Sequence, residues 1–169
     1  MKQPAIVLVL ALATAVAGLS LATAQGGRKF TVPLTGAAEV PGPGDSDATG
    51  TAMLTINGGT GEVCFAFTAT GLDSVTMAHI HRGTETESGP VVVTLPISAD
   101  SMSADTTGRP NRLERCVSVP RDTVQAILRN LSGYYVNVHT VTFPDGAIRG
   151  QLAKKGQGKA GKATGTKKS

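Results

Sequence analysis

The three histidines of this chain fall in two short segments, Met77-Ala78-His79-Ile80-His81 and Tyr135-Val136-Asn137-Val138-His139-Thr140. Imidazole is the commonest protein ligand for transition metals and changes charge near neutral pH. Both segments alternate apolar and polar residues, the period of a half-buried β-strand. On such a strand His79 and His81 project from one face, their Cα atoms roughly 6.6 Å apart by two strand rises. Ala78 and Ile80 take the other face. His139 shares its face with Asn137 and Tyr135, opposite Val136 and Val138. If the two strands are neighbours, all three imidazoles converge on the polar side. Nitrogen donors suit copper and zinc, with copper(II) the tightest of the divalent series. Each ring must lose its proton to coordinate, so uptake is expected to weaken below about pH 6.5. The alternative is that the histidines hydrogen-bond to neighbours or border a ligand pocket.

A sheet is needed to position these side chains, and the rest of the chain reads as one. Strands are expected at 30–34, 51–57, 62–70, 75–81, 91–95, 113–119, 134–140 and 147–152, from alternation and the turn residues between them. Gly58-Gly59-Thr60-Gly61 and Phe143-Pro144-Asp145-Gly146 are hairpin turns. Polar loops are expected at 82–89 and 98–111. One short helix is expected near 121–130, with Val124, Ile127 and Leu128 along one side. Short strands at regular intervals imply an all-β fold, an antiparallel β-sandwich of superoxide-dismutase-like or immunoglobulin-like type.

The N-terminus reads as an export signal. Lys2 precedes an uncharged run at 6–17, and Ala22-Thr23-Ala24 forms a small-residue cleavage site before Gln25. A membrane anchor is the other reading, but the apolar run is shorter than the about 20 residues that a span needs. The expected organisation is a signal peptide at 1–24, a leader at 25–29, one domain at 30–152 and a tail at 153–169. The expected location is secreted, periplasmic or on the cell envelope, with no transmembrane segment after cleavage.

Charge divides along the same lines. Taking Lys2 and the six lysines after Ala153 from the sixteen basic residues leaves nine basic against twelve acidic in the body. The body is mildly acidic, and the Lys- and Gly-rich tail is expected to be a disordered solvated extension. Its other role is contact with anionic envelope polymers, nucleic acid or lipid surfaces. With four Phe, two Tyr and no Trp, the chain has few aromatics for an RNA-stacking platform, so no specific nucleic acid is expected. The two cysteines, Cys64 and Cys116, lie on the polar sides of their strands. In an oxidising compartment they are expected to form a disulfide. Two free thiols or a mixed Cys and His metal site are the alternatives. No Gly-x-Ser-x-Gly elbow frames any serine, which argues against hydrolase chemistry.

Several motifs recur together: Leu34-Thr35-Gly36-Ala37-Ala38-Glu39-Val40-Pro41, Ala78-His79-Ile80-His81-Arg82-Gly83 with Gly89-Pro90-Val91-Val92-Val93, and Gly133-Tyr134-Tyr135-Val136-Asn137-Val138-His139-Thr140 with Phe143-Pro144-Asp145-Gly146-Ala147-Ile148-Arg149-Gly150-Gln151-Leu152. In that order they closely resemble the CHRD domain, a family named after repeats in the animal growth-factor antagonist chordin and widespread in exported microbial proteins. The resemblance covers about 30–152 and implies a secreted binding module whose partner is a protein or an envelope polymer. The His-x-His strand and the later Val-x-Val-His strand are also similar to the copper-ligand strands of Cu/Zn superoxide dismutases. That similarity implies copper ligands at His79, His81 and His139. No histidine lies between His81 and His139, so the metal-bridging histidine and the zinc ligands have no counterpart. Three readings follow: a binding module with a mononuclear copper or zinc site, a copper-only dismutase-like enzyme, and a metal-free structural or protein-interaction domain.

Overall fold

The structure is a computed structural model that describes residues 26–97 and 115–153. The expected signal peptide, the loop at 98–111, the first residues of the strand expected at 113–119 and the Lys-rich tail beyond Ala153 lie outside the described residues. The strands are β1 (Arg28–Thr35), β2 (Thr49–Asn57), β3 (Glu62–Thr70), β4 (Val75–Arg82), β5 (Val91–Leu95), β6 (Arg115–Ser118), β7 (Tyr134–Thr140) and β8 (Ile148–Gln151). Helix α1 (Arg121–Arg129) lies between β6 and β7. Its Asp122 in the first turn and Arg129 in the last both suit the helix dipole.

All neighbours are antiparallel, in the order β5-β4-β7-β8-β1-β2-β3-β6. β8 and β1 meet through a single residue pair, Arg149 with Thr35. The eight-stranded sheet therefore divides there into two halves. Inward residues from both halves, Ile80, Val136, Val138 and Ile148 on one side and Val32, Leu54, Ile56 and Phe65 on the other, join one cluster. Each is 2 % exposed or less. A nine-residue helix reaches only about 13 Å and cannot cover such a face. The two halves must cover each other, which gives the all-β sandwich expected, with the layers continuous at the β8–β1 corner. Registers such as Ala78 with Val138 and Leu54 with Phe65 carry the alternation across strands, so the apolar pattern holds the pairing in register.

Cys64 and Cys116 lie directly opposite one another on β3 and β6, with their sulfurs at bonding distance, 2.07 Å. Glu62 is close to both, but joined sulfurs leave no thiolate for a metal. The mixed Cys and His site is also excluded by position, because the histidines lie on β4 and β7. Among the described residues no helix is long and apolar enough to cross a membrane.

One strand departs from the half-exposed expectation. All seven residues of β7 are buried, polar ones included. Its inner face packs on the core, and its outer face lies beneath the 83–90 loop and the turn that leads into β8.

Candidate metal centre

Alternation and register together place the histidines. β4 pairs with β7 so that Met77 lies opposite His139, His79 opposite Asn137, and His81 opposite Tyr135. The three imidazoles therefore share the outer face, as expected from the sequence, but two of the rings are buried and only His79 is half-buried. His81 and His139 are each 8 % exposed. One ring nitrogen from each histidine lies within 4.8 Å of the others. His79 Nδ1 and His139 Nε2 are 3.1 Å apart. Two nitrogens bound to one ion at about 2.0–2.1 Å stand about 2.9 Å apart at a right angle and about 3.3 Å apart in a tetrahedron, so this edge already has ligand spacing.

Backbone carbonyls set the tautomers. His139 Nδ1 is 2.8 Å from the Pro144 oxygen, and His81 Nδ1 is 2.7 Å from the Gly89 oxygen. A carbonyl only accepts, so both Nδ1 atoms carry the proton and both Nε2 atoms present a lone pair. In the metal-free state His79 Nδ1–H donates to His139 Nε2. His81 Nε2 is buried with no hydrogen-bond partner.

The Gly89 carbonyl is itself held in place by β7 and β8. Arg149 Nη2 donates to the Thr84 and Glu87 oxygens at 2.6 and 2.9 Å, and Gln151 Nε2 donates to the Gly83 and Ser132 oxygens at 2.8 and 2.9 Å. Gly89 N–H donates to the Tyr135 hydroxyl. The Tyr135 ring stacks on His81 with centroids 4.8 Å apart, and the Arg149 guanidinium carbon lies 3.4 Å from the Tyr135 ring centre. A methyl group added at Gly89 would collide with the Arg82 carbonyl. Gly89→Ala is therefore expected to destabilise the fold by about 1–3 kcal/mol in denaturant unfolding and to displace the oxygen that orients His81. An unchanged unfolding midpoint would contradict this packing.

The family question is decided over this same span. The CHRD domain model matches residues 30–152, from β1 through β8. The chain belongs to the CHRD domain family. No curated protein and no solved structure gives a significant match. Within this CHRD sheet, His79, His81 and His139, singled out in the sequence, are brought together, and Cys64 and Cys116 lie apart from them on the other half. The sequence pattern places Tyr135 on the face of His139 but gives Arg149 no place near the histidines. Tyr135 stands beside His81 as its cross-strand partner between β4 and β7, and the β7–β8 hairpin, where Asn137 opposes Arg149, brings Arg149 onto the Tyr135 ring.

Electrostatics on this CHRD face favour neutral rings. Burial, with the neighbouring His139 and His81, pushes His79 from 6.5 down to about 4. Burial also lowers His81; His139 and Arg149 add to that, while the Gly89 carbonyl and the Asn137 amide oppose it. His79 is thus already unprotonated where ordinary imidazole titrates, and the protonated form of His81 is disfavoured in the same sense.

Glu39 behaves in the opposite sense. It is 8 % exposed, and burial, partly offset by Arg149 and the Val40 backbone, pushes its carboxyl from 4.5 up to about 7. Between those values the folded state holds more protons than the unfolded one, so the Glu39 contribution to stability is lost as pH rises from about 4.5 to about 7. The His79 and His81 contributions are instead lost as pH falls from 6.5, down to about 4 for His79. Glu39→Gln removes only the first of these contributions. The variant should gain stability relative to the parent as pH rises through the window ending at about 7. Urea unfolding across that range checks it, and a pH-independent difference would contradict it.

Proposed function

We propose that this protein is an exported CHRD binding module that holds one copper(II) or zinc(II) ion on His79, His81 and His139. The observation that carries the reading is the convergence of three ring nitrogens within 4.8 Å, together with a buried His81 Nε2 that has no hydrogen-bond partner. Leaving a buried acceptor unpaired costs about 1–3 kcal/mol, which a purely hydrogen-bonding role does not recover. Carbonyl partners on Nδ1 of His81 and His139 are the support that metal-ligating histidines usually have. Three imidazoles supply borderline nitrogen donors and leave at least one position open, which suits copper or zinc over calcium or magnesium.

Export is supported by the signal-like N-terminus and by the paired cysteines, which persist in oxidising compartments. The six lysines after Ala153, with no acid among them, supply a basic contact for anionic envelope polymers.

Equilibrium dialysis of tag-free protein against micromolar copper and zinc, followed by metal analysis, tests the reading. One ion per chain is expected. Uptake of neither ion would leave the metal-free interaction domain as the surviving reading, while catalysed loss of superoxide by the loaded protein would instead favour the dismutase-like one.

A further inference from the structure

We infer that Asn137 is the fourth protein donor of this centre, offering its amide oxygen to the ion held by His79, His81 and His139. The inference rests on the metal-binding reading and adds a ligand to it. On the outer face Asn137 has all three imidazoles as neighbours. It is the direct cross-strand partner of His79 and stands two residues from His139 on the same strand. It is also diagonal to His81, within the reach of neighbouring side chains on a sheet.

Asn137 is 2 % exposed, and its Oδ1 is buried with no hydrogen-bond partner. The same is true of His81 Nε2. Two buried lone pairs on adjacent side chains, with a donor between them only when His81 is protonated, are what a cation satisfies at once. Amide oxygen is a hard neutral donor that zinc and copper(II) accept alongside imidazole. The other candidate nearby is Met77, opposite His139 and two residues from His79. It is 44 % exposed and lies four residues along β4 from His81, so it borders the cluster without reaching its centre.

Full-length tag-free protein loaded with copper(II) gives the test. Asn137→Ala should weaken copper binding by about 10–100-fold and change the copper EPR parameters, whereas Asn137→Asp, which keeps an oxygen donor, should restore affinity. Met77→Leu should change neither. In parent protein carrying amide-carbon-13 asparagine, the copper signal should show a carbon hyperfine coupling, and this measurement needs no variant to fold. Copper bound with unchanged affinity and spectrum in Asn137→Ala, or with no carbon coupling in the parent, would overturn the inference and leave the three-histidine site standing. A parent protein that takes up neither copper nor zinc would overturn both.

Discussion

Replacing His139 with alanine is expected to lower copper affinity by more than about 100-fold, because loss of an outer partner alone typically costs 10–100-fold and His139 is proposed as a direct ligand. The effect has two parts. The ion loses one of three imidazoles, and His79 loses the 3.1 Å partner that fixes its Nδ1 toward the site. Folding should suffer less, since His139 projects away from the core, where Val136 and Val138 anchor β7. Changing any lysine of the tail should leave uptake unchanged. Calorimetric titration of both variants separates these expectations. Equal affinity in the parent and His139→Ala would remove His139 from the site. Because burial depresses His79 to about 4, that ring should not limit uptake near pH 6.5.

Loss of the Cys64–Cys116 link should have the largest effect on stability. The bond would close a loop of sequence separation 52. On the chain-entropy model that stabilises the fold by about 4 kcal/mol, an upper figure that corresponds to a Tm lowering on the order of 10–15 °C. Replacing both cysteines with alanine should therefore shift thermal unfolding strongly while leaving the histidine cluster intact, because β3 and β6 belong to the other half of the sheet. A double variant with parental Tm, or two alkylatable thiols in natively exported protein, would contradict this assignment.

Much of the architecture was legible from local pattern. The boundaries of β3, β5 and β7 at 62–70, 91–95 and 134–140 agree with those read from alternation, because each is bracketed by turn residues or a change of period. β1 and β2 run one or two residues longer at their ends, where pairing of Arg28 with Ile56 and Thr49 with Thr70 extends the ladders beyond the clear alternation. The two short 3-10 segments, Gly36–Ala38 and Leu131–Gly133, carry no period and were not foreseen.

The site was legible as three histidines on one face, and no further. Alternation assigns His139 and Asn137 to the polar side of β7, which ordinarily means solvent. Burial of that side depends on Arg149, Gln151 and Tyr135 pinning the 83–89 segment over it, through bonds between residues up to 68 positions apart. No local window contains such contacts. The raised carboxyl of Glu39 has the same origin: the desolvation that shifts it arises only once the fold encloses it, with Gly146 packed against its carboxylate.

Anomalous diffraction from crystals of the tag-free protein grown with copper, and separately with zinc, tests the central claim most directly. One peak per chain is expected on the outer face between β4 and β7, about 2.0–2.1 Å for zinc from His79 Nδ1, His81 Nε2 and His139 Nε2. Crystals with metal at other surface positions and none among these three rings would contradict it.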